Sequence, residues 1–204
     1  MLLASLAGLC YVLLSGFLFA GLGRFLLDRA RLSIENRVER GLASIAVGVV
    51  FLELLVSLGE IAPNVRAGVL CALALAAALG LLSIPAVLVD TREIIRDIAK
   101  LTGLERWLAL GLGGVLLLEG FGAMAPLTGS DAMHYHFSVP LLILREGFHP
   151  NWHLSFSFFT GLSHQLILAG LAAGNEKLAL GWIYLGGAVG SQGSGRGLRP
   201  LRFL

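Results

Sequence analysis

Leu42-Ala-Ser-Ile-Ala-Val-Gly-Val-Val-Phe-Leu-Glu-Leu-Leu-Val-Ser-Leu-Gly59 decides the solvent of this chain. One ionisable residue, Glu53, interrupts an apolar run of the length a helix needs to cross a bilayer core, about 20 residues for about 30 Å. On one side stand Arg37 and Arg40; on the other a short turn, Glu60-Ile-Ala-Pro-Asn-Val-Arg66. Similar runs occur at Leu2–Leu22, at about Ala67–Leu88 and at Trp107 to about Ala125. The first has no basic residues before it, so it reads as a retained helix rather than a cleavable signal. The whole composition agrees. The 204 residues are 56% hydrophobic and 14% charged, with a mean hydropathy of +0.83. Soluble domains carry about 25% charged residues. A water-soluble single domain, a disordered tail, a disulfide scaffold and a nucleic-acid-binding module are excluded, and the solvent partner is the lipid bilayer.

The expected fold class is all-α: a polytopic transmembrane helix bundle of about five spans, with amphipathic outer-loop helices. The 27 glycines fit close helix packing in lipid. Cys10 and Cys71 lie in apolar runs and read as small packing residues.

Basic residues alternate between connectors. Arg24, Arg29, Arg31, Arg37 and Arg40 follow the first run; Arg66 alone follows the second; Arg92, Arg96, Lys100 and Arg106 follow the third. The next polar excursion holds only Arg145 between Pro126 and His153. By the positive-inside rule, both arginine-rich connectors are cytoplasmic, and the amino terminus and the loop from Pro126 onward face outside. Further on, 154–173 and 178–189 are both apolar. The polar residues His153, Ser157, Thr160 and His164 recur at helical spacing, so the earlier segment is expected as an amphipathic surface helix and the later one as the fifth span. The chain divides into an amino-terminal membrane region, 1–106, a region of span, outer loop and following helices, 107–189, and a Gly/Arg-rich flexible tail, 190–204. The tail stops as a span is being completed, the pattern expected of a piece of a longer polytopic protein.

The outer loop carries the chemistry: Ser130-Asp131-Ala-Met-His134-Tyr135-His136-Phe-Ser-Val-Pro140, then Arg145-Glu146-Gly147. Asp131, His134, Tyr135 and Ser138 share one face of a helix. Ser130 or Asp131 is placed to cap that helix, Pro140 to bend it and Gly147 to end it. Asp131 reads as an N-cap or as a general base taking a proton from an acceptor hydroxyl or amine during attack on a sugar carbon. Glu146 would stand about 22 Å away along a continuous helix, too far for the carboxylate pair of a glycosidase. Arg145 is a candidate phosphate fork, or a cation near a helix C-terminus. No metal site is assigned. His134 and His136, with His149 and His153 nearby, are the residues to which a divalent metal would bind, but a helix turns His134 and His136 to opposite sides. Glu53 and Glu119 are intramembrane acids and so functional candidates in their own right; Glu119 lies near the outer end of its span.

From Trp107 to about Tyr184, the order of these features resembles the amino-terminal part of GT-C-type membrane glycosyltransferases. The nearest likeness is to bacterial relatives of protein O-mannosyltransferases and lipid A aminosugar transferases. Those families place an acidic residue soon after a span, then Tyr or Tyr-His, a Pro and a Gly-ended helix. Here Asp131, Tyr135-His136, Pro140 and Gly147 stand in that order. Ser130 stands where many members carry a second acid, and three spans precede the matching region rather than one. The resemblance implies an enzyme of the bacterial inner (plasma) membrane. It would transfer a sugar from a polyprenyl-phosphate donor on the extracytoplasmic side, with Asp131 as base and His134, Tyr135, His136, Arg145 and Glu119 lining the substrate. Without the many later spans of its relatives, the 204-residue chain is expected to be inactive alone. A non-enzymatic membrane assembly or scaffold protein, and a transporter built on Glu53 and Glu119, are the alternatives.

Overall fold

The structure, a computed structural model, describes residues 2–123, 137–148 and 162–193. All regular elements among them are α-helices: α1 (Leu2–Arg29), α2 (Arg37–Glu60), α3 (Val65–Lys100), α4 (Gly103–Ala123), α5 (Ser138–Glu146), α6 (Leu162–Ala172) and α7 (Glu176–Gly193). Asparagine opens three of them. Asn36 Oδ1 accepts from Val38 N (2.9 Å) and Glu39 N (3.2 Å), Asn64 Oδ1 from Ala67 N (3.1 Å), and Asn175 Oδ1 from Lys177 N (3.1 Å) and Leu178 N (3.2 Å). Each cap satisfies amide groups that the first turn leaves without intrahelical acceptors.

Helices α1, α2 and α3 form an antiparallel three-helix bundle. Small residues bring their backbones together. A Cβ on Gly21 would meet the Gly80 backbone, one on Gly48 would meet the Phe19 carbonyl, and one on Gly59 would meet the backbone of Gly68. Where lipid tails are as apolar as the side chains, such close approach supplies the van der Waals contact that holds helices together. The expectation drawn from glycine content is met at these crossings. Leu22, Leu52, Val56 and Val69 fill the bundle interior, and the same core extends to Val139 and Ile143 on α5, Leu168 on α6 and Trp182 on α7. The Trp182 ring stands edge-on to Phe19, with centroids 5.6 Å apart.

The outer surface is apolar. Leu54, Leu58, Leu81, Leu82, Leu108 and Leu118 are all more than half exposed. Such continuous exposure is untenable in water. Among the described residues, three helices are long and apolar enough to cross a membrane: Cys10–Arg29, Arg37–Glu60 and Val65–Lys100. Cys10 and Cys71 are exposed, so they face out from the bundle rather than packing within it.

Two expectations change. The third apolar run and the charged connector after it are one helix: α3 has 36 residues, about 54 Å at 1.5 Å per residue, and projects well beyond a 30 Å core. Pro140 is the third residue of α5; the helix start expected at Ser130 or Asp131 lies outside the described residues. Gly147 does end that helix, with φ +91° and its N–H on Ile143 O at 3.0 Å. The largest change is α6. Its described part, Leu162–Ala172, has 11 residues, and every residue from His164 to Gly170 is buried; the rest of the expected surface helix, with His153, Ser157 and Thr160, lies outside the described residues. The described part is a core helix rather than one resting on the bundle's surface.

Candidate functional site

The two ends of the bundle differ in chemistry. At one end α1 finishes, α2 starts and the last third of α3 runs on, and here the charges pair. Arg40 grips Asp90 with two bonds, Nη2 to Oδ1 at 2.6 Å and Nε to Oδ2 at 3.0 Å, and Arg24 Nη1 reaches the same Oδ2 at 3.3 Å. Arg24 also binds Asp28, and Arg37 lies 3.3 Å from Glu93 and 3.7 Å from Asp97. The Asp90 pairs are mostly shielded, with side chains about one-fifth exposed, where charge-assisted bonds are stronger than at an open surface. One carboxylate on α3 thus ties down both other helices.

At the opposite end, the α2–α3 turn is covered by α6. Gln165 Nε2 donates to Glu60 Oε2 at 3.2 Å, and Arg66 Nε donates to the Ala172 carbonyl at 3.1 Å. The second bond places a cation at the C-terminal end of α6, where the helix dipole favours it and where carbonyls lack intrahelical partners. Helix α5 packs on α6 and buries Val139, Pro140 and Ile143. The chain therefore re-enters the described structure at Phe137, itself buried, at the end remote from the arginine cluster.

Of the residues that the sequence nominates, Asp131, His134, Tyr135 and His136 lie outside the described residues, as do His149 and His153. Arg145 is exposed in the last turn of α5, a position complementary to the helix dipole; among the described residues it forms no ion pair. Glu119 is exposed on α4, within electrostatic reach of the Tyr184 phenol on α7. Glu53 is buried in the middle of α2, 4% exposed. The two acids of the transport reading thus sit on different helices, one enclosed and one open.

Sequence reading missed the buried polar contact at this end. Glu60 stood among the turn residues, yet it is the last residue of α2 and 5% exposed; Gln165 was one letter in an apolar segment and is equally buried. A signal was available: Glu60 is seven residues after Glu53, two turns on and on the same helical face. No protein-family model, curated protein or solved structure matches the chain.

Proposed function

We propose that this chain is a multi-pass membrane protein of the GT-C-like glycosyltransferase type, or the amino-terminal part of one. It acts on a polyprenyl-phosphate-linked sugar at the extracytoplasmic face of a bacterial inner membrane. In this reading α1, α2, α3, α4 and α7 cross the bilayer, the Arg24–Arg40–Asp90 end is cytoplasmic and the amino terminus is outside. Asp131 takes the proton from the acceptor as it attacks the sugar carbon. Because the phosphate carrier leaves as an anion, no second protonating carboxyl is needed. Arg145 is placed to meet that phosphate through its guanidinium fork.

One observation carries the proposal. A short helix ended by Gly147 follows the Asp131-to-His136 segment directly, and it is seated at the bundle end opposite the paired arginines. That order is the one the resemblance to GT-C enzymes leads one to expect, and α6 holds the helix from behind through Glu60 and Arg66.

The test is transfer from a polyprenyl-phosphate sugar in membrane vesicles containing the full-length gene product. Asp131→Asn keeps a side chain able to cap a helix but removes the base. The expected loss is about a hundredfold or more, the usual contribution of a general base. Full activity in that variant would remove Asp131 from the mechanism.

A further inference from the structure

A carboxyl group and a carboxamide, each 5% exposed, meet where α6 crosses the end of α2. Gln165 Nε2 donates to Glu60 Oε2 at 3.2 Å, while Gln165 Oε1 is buried and has no donor among the described residues. A buried acceptor left this way costs about 1–3 kcal/mol, and the carboxyl group already bonded to the same amide can satisfy it. A carboxylate has no proton to give; a carboxylic acid has one. When Glu60 carries a proton, its O–H donates to Gln165 Oε1 as Gln165 Nε2–H donates to the other Glu60 oxygen. The ring of two hydrogen bonds then uses both polar atoms of the Gln165 amide.

We propose that Glu60 is a proton-binding site: it holds one proton in a two-bond acid–amide pair with Gln165, and that pair latches α6 onto the α2–α3 turn.

Burial away from water favours the neutral form, and the titratable and charged groups around it are few. On α2 itself, Glu53 lies two turns back on the same face and is also buried. From α3, Arg66 directs its Nε to the Ala172 carbonyl. From α6, buried His164 precedes Gln165, and α7 contributes Lys177 near its start and Tyr184 further along. From α1, the half nearer this end offers only Cys10 and Tyr11, both exposed. α5 adds Arg145 and Glu146, also exposed. The sign of the pH dependence follows: the latch is present while Glu60 is protonated and is lost as pH rises through its deprotonation. The proton then passes to water, and α6 is left against a buried anion.

Infrared spectroscopy of the full chain in liposomes tests it. At neutral pH, subtracting the Glu60→Gln spectrum from the wild type leaves a protonated-carboxyl band, and that band shifts in Gln165→Leu, which removes the amide partner. Loss of a carboxylate band instead, or a protonated band indifferent to Gln165→Leu, overturns the assignment. Hydrogen exchange gives a second readout. Raising the pH speeds exchange of α6 amides, beyond its intrinsic pH dependence, by about tenfold in the wild type, the effect of one lost buried hydrogen bond. Glu60→Gln, which replaces the acid–amide pair with an amide–amide pair, shows no such excess. Equal excess in both proteins contradicts the latch.

Discussion

Arg40 and Asp90 are joined by two hydrogen bonds, of 2.6 and 3.0 Å, across the α2–α3 interface. The planar guanidinium matches the carboxylate edge to edge, and the pair is formed from residues that hydropathy assigns to two separate polar connectors. It sits at the end of the bundle where the arginines cluster, so the side chains that carry the proposed orientation also fasten the helices there.

Asp90→Asn tests that fastening. It keeps the size of the side chain but leaves Arg40 and Arg24 without a shared anion, at an expected cost of about 2 kcal/mol, the range for hydrogen bonds to charged groups. Arg24→Ala should cost less than Arg40→Ala, since Arg24 contributes one bond of 3.3 Å against two shorter ones. Denaturation in detergent micelles would rank the three variants; equal stabilities for Asp90→Asn and wild type would show that the cluster does not hold the bundle.

Glycine substitutions separate packing from propensity. At Gly48 a side chain meets the Phe19 carbonyl and the Gly23 amide nitrogen, whereas at Gly113 nothing among the described residues lies within 4 Å. Gly48→Val should therefore destabilise by about 1–3 kcal/mol through forced separation of α1 and α2. Gly113→Ala should stabilise α4 by up to about 1 kcal/mol through helix propensity. The same unfolding measurement checks both, and opposite signs are the expected result.

How far the fold could be read from sequence depended on how local its cause was. The Leu42–Gly59 run, the asparagine caps and the Gly147 stop act within a few residues, and all have legible signatures. The course of α6 does not: an apolar 11-residue segment has the same composition whether it faces lipid or a protein core, and its burial depends on Glu60 and Arg66, a hundred residues earlier. Glu60 was obscured for the same reason. Next to Pro63 and Asn64 it has the look of a solvated turn residue, and only its partner on α6 makes it a core residue. Asp90 and Arg40 show the complementary limit: the charge of Arg40 gave only an expected orientation, while its pairing with Asp90 required the three-helix geometry. Asp131, His134, Tyr135 and His136 are legible as a spacing pattern alone.

Arg66 anchors α6 by its carbonyl end. Arg66→Ala removes one charged hydrogen bond to the Ala172 carbonyl, and about 1.5–3 kcal/mol is the usual scale of such a bond. Amides of α6 should exchange faster in that variant while those in the middle of α2 stay protected. Uniform acceleration through the whole bundle would mean that α6 does not open separately.

The central claim is that the Asp131 segment and the paired arginines lie on opposite sides of one membrane. With Cys10 and Cys71 replaced by alanine, a single cysteine is introduced by Thr128→Cys, leaving Asp131 in place, or by Arg92→Cys on the charged end of α3. In intact cells a membrane-impermeant maleimide should label position 128 at once and position 92 only after lysis. Labelling of position 92 in intact cells, with position 128 protected until lysis, would contradict the orientation and the external sugar chemistry built on it.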